Sequence, residues 1–277
     1  MGVTLVAGLY RDSSLDAIDT ALCSGITKFD AASNYGAGGA HRRLREVATR
    51  RDIDFDTLEI TSKIGFTPKN GDHSLDEDTL TQSAEQIRKN LGRSLDLLYV
   101  HNPEVTLATL PSHRRLAKIR ECVRVMRCLC GEGLARAWGI ASWNGFGQYF
   151  DLGNWQEEEP GPAGIMVPGS VLSSRYLYEA VNACGPITDA TRDSLGVTVA
   201  APLAGGAVLS APSENLARFL SLAHSPVPAL SVVASVPGVD RIACGMSSTA
   251  HITANLQALQ ETAVPEKIAK LLQALAT

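Results

Sequence analysis

Short apolar runs alternate with stretches of helical periodicity from one end of the chain to the other. The eight runs fall at residues 4–9, 27–29, 58–62, 95–100, 134–140, 164–167, 197–200 and 241–244. Helical patterns occupy residues 14–23, 39–50, 78–91, 113–130, 175–194, 229–235 and 249–259, and a last one at 265–275 closes the chain. Strands separated by helices pair in parallel through right-handed crossovers. Eight of them predict an α/β fold, a closed (β/α)8 TIM barrel, as one domain over residues 1–277. An open doubly wound sheet shares the alternation, but its three-glycine fingerprint is missing after the first strand, where Leu5-Val6-Ala7-Gly8-Leu9-Tyr10 has one glycine.

Two segments depart from the alternation. Residues 144–162, with Trp155, Glu157, Glu158, Glu159 and Pro160, read as a long loop where the helix after the fifth strand belongs. Residues 212–222 read as an added amphipathic helix after the seventh strand. Both belong on the face where parallel strands end, the face on which such insertions shape pockets.

Composition bounds the function. A hydrophobic share of 45% with 19% charged residues supplies a sizeable core and excludes long disorder. The formal charge of −4 offers no general attraction to phosphate backbones or anionic lipid, so nucleic acid is not an expected partner. The first ten residues lack a basic start followed by a long apolar run, and no apolar stretch of membrane-spanning length follows. The expectation is a soluble cytoplasmic protein. The six cysteines, Cys23, Cys122, Cys128, Cys130, Cys184 and Cys244, lack the spacing of a metal or redox motif and read as reduced core residues.

Three consecutive strands end in ionisable groups: Asp30 followed by Tyr35, then Lys63, then His101. In a parallel barrel those ends surround one mouth. An ammonium beside a phenol favours phenolate, and a carboxylate holds the ammonium in place, so the set suits acid/base chemistry. Taken singly, Tyr35 before Gly36 also reads as a turn residue, Lys63 as a strand-end lysine with a buried stem, and Asp30 as a cap. The strand ends show no His-x-His or carboxylate cluster suited to a metal, so no metal site is expected.

With these residues in view, the chain resembles the aldo-keto reductase family. The resemblance rests on residues 25–36 (Gly-Ile-Thr-Lys-Phe-Asp-Ala-Ala-Ser-Asn-Tyr-Gly), on Thr61-Ser62-Lys63, on residues 96–103 (Asp-Leu-Leu-Tyr-Val-His-Asn-Pro) and on residues 139–144 (Gly-Ile-Ala-Ser-Trp-Asn). Residues 201–206 (Ala-Pro-Leu-Ala-Gly-Gly), Gly245-Met246-Ser247-Ser248 and Asn255 extend it over nearly the whole chain. The resemblance implies an NADPH-dependent oxidoreductase, with NADH as a second candidate cofactor, that interconverts an aldehyde or ketone with its alcohol. On that pattern Tyr35 donates the proton, Lys63 lowers its pKa, Asp30 pairs with Lys63, and His101 orients the carbonyl.

The same resemblance assigns cofactor contacts to Ser142, Pro202, Leu203, Gly205, Gly245, Ser247, Ser248, His251 and Asn255. Some positions depart from the family pattern. Ala141-Ser142 stands for Ser-Asn, Val167 for a glutamine, Gly245 and Met246 for a Lys-Ser pair, and His251 for an arginine. Tyr10, Trp143 and Trp155 read either as substrate-lining aromatics or as structural anchors. The competing function is a non-catalytic or regulatory barrel that keeps a nucleotide site. Substrate identity, reaction direction and oligomeric state are not readable from the sequence.

Overall fold

In the computed structural model, the eight parallel strands close into a barrel in sequence order. They are β1 (Thr4–Gly8), β2 (Lys28–Asp30), β3 (Glu59–Ile64), β4 (Leu95–His101), β5 (Ala135–Ala141), β6 (Gly164–Pro168), β7 (Gly196–Ala200) and β8 (Val239–Gly245). β8 pairs back onto β1 with Thr4 opposite Arg241 and Gly8 opposite Gly245, which completes the ring. The structure describes residues 3–10, 13–68, 71–143, 152–156, 160–173, 175–184, 196–210 and 228–260, with positions 215, 218, 266, 267 and 270.

The outer layer is helical: α1 (Leu15–Cys23), α2 (Ala40–Arg50), α3 (Glu77–Leu91), α4 (Glu104–Thr109), α5 (Ser112–Gly131), α6 (Arg175–Cys184), α7 (Pro228–Ala234) and α8 (Thr249–Gln260). Local chemistry sets their ends. Ser14 caps α1 by accepting from the Ala17 N–H at 3.0 Å. α3 carries Glu77 and Asp78 in its first turn and Arg88 and Lys89 in its last, and it stops at Gly92 in the left-handed region. Among the described residues no helix is long and apolar enough to cross a membrane.

Period-two alternation splits the core into two layers. One face of each strand packs under the helices, as with Phe29, Ile60, Leu98 and Ile140. The other face fills the barrel with Val6, Leu97, Tyr99, Ala141, Met166, Ala200 and Ala243. Tyr99 fits because β5 and β6 supply glycines beside it. A Cβ on Gly139 would lie 2.9 Å from the Tyr99 ring and 2.4 Å from the Gly164 carbonyl oxygen. Towards the N-terminal ends of the strands, Glu59 pairs with Lys28 and, at 3.0 Å, with Arg241.

Several expectations are modified by the structure. The segment after β5 includes a helical turn, Leu152–Trp155, that packs against α5. Trp155 is fully buried, with its ring 6.4 Å from that of Trp138 on β5. It therefore supplies part of the apolar cover that a helix would give. Residues 144–151 and 157–159 lie outside the described residues, as do most of 212–222, 185–194 and 265–275. α4 was not anticipated. The described cysteines Cys23, Cys122, Cys128, Cys130 and Cys244 are free, but Cys23 and Cys128 are exposed rather than in the core. Their helix positions turn outward, which an apolar neighbourhood in sequence does not reveal.

Candidate active site

Lys63 and His101 stand at the C-terminal ends of β3 and β4, on the strand faces that point into the barrel. Tyr35 reaches the same mouth from the loop after β2. That loop is held by main-chain bonds continuing the ladder: Ala31 N–H donates to the Thr61 carbonyl at 3.0 Å and Ser33 N–H to the Lys63 carbonyl at 2.9 Å. The Tyr35 carbonyl then accepts from Gly38 at 3.1 Å and Ala40 at 3.3 Å, at the entry to α2.

Asp30, Tyr35, Lys63 and His101 come together as the strand ends suggested. The Lys63 ammonium donates to Asp30 Oδ2 and, at 3.0 Å, to the Ala31 carbonyl. Thr61 Oγ1 donates to Asp30 Oδ1 at 2.9 Å. Asp30 is completely buried and Lys63 is 2% exposed, so this ion pair operates almost without water. Lys63 Nζ lies 4.9 Å from the centre of the Tyr35 ring. The His101 ring stands edge-on to Tyr35 with centroids 6.0 Å apart.

Burial decides the protonation states. It pulls the Lys63 pKa down, against the charge and hydrogen bond of Asp30. It pushes the Tyr35 phenol well above its ordinary value, and the Asp30 charge pushes the same way. Burial and the Asp30 charge thus outweigh any lowering of the Tyr35 pKa by the nearby Lys63 ammonium, which is paired with Asp30. Burial, then the Lys63 charge, then His73, hold His101 well below the usual imidazole range. At neutral pH the site thus presents a protonated phenol and a neutral imidazole. His101 Nδ1 is sealed from solvent and has no hydrogen-bond partner among the described residues. A buried lone pair costs less than a buried orphan N–H, so the proton belongs on Nε2.

These groups open into a cavity of about 1050 Å³. Ordinary small-molecule sites span about 300–1,000 Å³, so there is room for a large ligand with a small second one. Tyr10, Tyr35, Lys63, His101, Ser142 and Trp143 line it. So do Pro202, Leu203, Gly205, Gly245, Ser247, His251 and Asn255. Trp143 is 52% exposed at the rim. Tyr10 lies over the ends of β1 and β8, where a Cβ on Gly8 would collide with its ring, and meets Tyr35 edge-on at 5.0 Å.

Two of the expected contacts sit elsewhere. Trp155 is in the core beside Trp138, away from the residues that line the cavity. Ser248 does not line the cavity either: its Oγ accepts from the His251 N–H at 3.3 Å and caps α8. Sequence reasoning also missed Asn34, Asn102 and Met166 in the lining. Asn34 was within reach of it, one residue before Tyr35. Behind Lys63, His41 Nε2 lies 2.8 Å from Ser62 Oγ in a buried pair that no spacing rule signals, since its partners come from α2 and the outward face of β3.

The far end of the cavity suits an extended anionic ligand. Gly205 and Gly206 have φ of 66° and 96°, and among the described residues nothing lies within 4 Å of where their Cβ atoms would be, so a ligand can come close to the main chain there, although the Gly206 N–H is taken by the Leu203 carbonyl at 2.8 Å. The N-terminus of α8, with Ser247 Oγ 3.1 Å from His251 Nδ1, lies at the same end.

Solved structures share this architecture. A thermostable aldo-keto reductase in complex with the inhibitor epalrestat matches with a TM-score of 0.75 at 19% identity, over 98% of this chain and 94% of that one. An aldo/keto reductase from Klebsiella pneumoniae in complex with NADP and acetate matches with a TM-score of 0.74 at 20% identity, over 99% and 91% of the two chains. The holo form of an aldo-keto reductase from Bacillus halodurans matches with a TM-score of 0.72 at 18% identity, over 100% and 92%. At these identities the likeness establishes the fold. The sequence profile of the aldo/keto reductase family matches residues 4–276, nearly the entire length, and the chain belongs to that family.

Proposed function

We propose that the chain is an NAD(P)H-dependent reductase that converts an aldehyde or ketone to its alcohol, or the reverse, with Tyr35 as the proton donor. The observation that carries this reading is the convergence of the Tyr35 ring, the buried Lys63–Asp30 pair and the His101 ring at the mouth of a cavity of about 1050 Å³.

The residues present fit a nicotinamide dinucleotide. The uncrowded main chain at Gly205, with Pro202 and Leu203 beside it, would lie along its pyrophosphate. Ser247, His251 and Asn255 would hold the adenosine end, and Ser142 the nicotinamide end. Two structural neighbours were solved with NADP or NADPH, which favours the phosphorylated form. When bound, the reduced nicotinamide supplies a hydride to a carbonyl carbon.

The side chains of this chain manage the oxygen. His101 Nε2–H donates a hydrogen bond to the carbonyl oxygen and orients it. Tyr35 gives its phenolic proton to the same oxygen as negative charge builds there. The phenolate left behind is stabilised by the Lys63 ammonium, whose attraction grows as the charge appears. Asp30 keeps that ammonium in place. In the oxidative direction Tyr35 accepts the alcohol proton.

The test is NADPH oxidation, followed optically with a panel of aldehydes and ketones, for the wild type and Tyr35→Phe. The expected result is turnover of at least one carbonyl by the wild type and a loss of about 10²–10⁴-fold in the variant, with dinucleotide binding retained. Dinucleotide binding without turnover of any panel member would instead support a barrel that only binds nucleotide.

A further inference from the structure

After β3, residues 65–68 pair in antiparallel fashion with residues 71–74. Phe66 and His73 bridge in antiparallel fashion. Thr67 N–H donates to the Asp72 carbonyl at 2.8 Å and Ser74 N–H to the Gly65 carbonyl at 2.9 Å. This hairpin touches both halves of the site. Ser33 Oγ, two residues before Tyr35, donates to the Phe66 carbonyl at 2.7 Å. The Phe66 ring stands edge-on to His101 at 4.9 Å and to His73 at 4.7 Å.

His73 makes the most specific of these contacts. Its Nε2 lies 2.7 Å from the His101 carbonyl oxygen, and its Nδ1 lies 2.7 Å from Thr106 Oγ1 on α4. A carbonyl only accepts, so Nε2 carries the proton. Burial lowers the His73 pKa, so the ring is neutral at physiological pH and Nδ1 accepts from the threonine hydroxyl. Glycine at position 65 permits this approach. With φ of 134°, a Cβ there would fall 2.9 Å from His73 Nε2.

The peptide that His73 holds is the exit from β4. His101 is the last residue of that strand, and Asn102 follows with φ of 51°. Asn102 N–H is tied to the Ala141 carbonyl at 2.6 Å, so one side of this peptide is fixed by β5 and the other by His73. A catalytic imidazole must be held to within a fraction of an ångström to act in proton or hydrogen-bond transfer.

We propose that His73 is a positioning residue for His101: with Thr106 and Phe66 it fixes the β4 exit, so that the His101 imidazole meets the substrate oxygen beside Tyr35. This rests on the reductase reading above.

The experiment compares wild type, His73→Phe and His73→Gln in two readouts. Phenylalanine keeps a ring against Phe66 and removes both hydrogen bonds. Glutamine places an amide N–H where Nε2–H donates. The first readout is the His101 Cε1–Hε1 resonance in histidine-labelled protein, assigned among six histidines with a His101→Gln variant. The second is kcat, read apart from KM. The expected result for His73→Phe is a shifted or broadened His101 resonance and a kcat about tenfold lower, the size of one lost hydrogen bond. His73→Gln should restore most of both.

The two variants must also be non-additive: His73→Phe should cost nothing further in kcat in a His101→Gln background. An unmoved His101 resonance overturns the proposal whatever the turnover, and so does additive loss or an unchanged kcat. If the wild type turns over no carbonyl, the reductase reading fails by itself, and the resonance alone decides whether His73 positions His101.

Discussion

Lys63 shows how much one side chain depends on its neighbours. An ammonium taken this far from water is costly, and it persists because Asp30 and the Ala31 carbonyl meet it. Asp30→Asn keeps the shape but strands that charge. The expected cost is about 3–5 kcal/mol, read as a lower urea midpoint of unfolding. An unchanged midpoint would mean that Lys63 is neutral in the fold. The same burial explains why Tyr35 titrates upward although a cation is near its ring. Residue type and order reveal which groups meet, whereas the balance of burial against charge is a property of the folded site.

Among the elements, the strands were the most legible part, because an apolar run bounded by helical patterns has few other readings. The site residues at the ends of β2, β3 and β4 followed from them, since a parallel barrel places those ends together. What stayed hidden was short or irregular. α4 has six residues, too few for periodicity to declare itself. The paired stretches 65–68 and 71–74 have Asn70-Gly71, a turn signal, between and beside them, but they lack the alternating apolar residues that make such a dipeptide read as a hairpin, and so His73 stayed hidden. Trp155 read equally as a mouth residue or an anchor because an aromatic in a loop serves both uses. Its burial against Trp138 identifies the anchor. Trp155→Ala should therefore cost about 3–5 kcal/mol of stability, measured by denaturant unfolding, with kcat unchanged. A loss of kcat with stability intact would return Trp155 to the cavity.

For the molecule as a whole, buried neutral histidines set the acid limit. Burial, and after it the Lys63 charge, lower the pKa of His41 to about 4 from 6.5. The unfolded chain takes up that proton near pH 6.5 and the folded chain only near 4. Stability is therefore full above about 6.5 and falls as the pH drops towards 4, by about 3 kcal/mol for this residue. His73 and His101, also lowered, act in the same direction. Urea midpoints between pH 7 and 4 should show the decline, with a shallower slope in His41→Asn; an equal slope would place the loss elsewhere. The same interior that excludes protons keeps the Tyr35 proton in place for transfer. A single-turnover measurement of bound NADPH oxidation by a saturating carbonyl substrate, in Tyr35→Phe against wild type, isolates that transfer. The expected result is a fall of about 10²–10⁴-fold with dinucleotide affinity unchanged; oxidation at the wild-type rate would contradict proton donation by Tyr35.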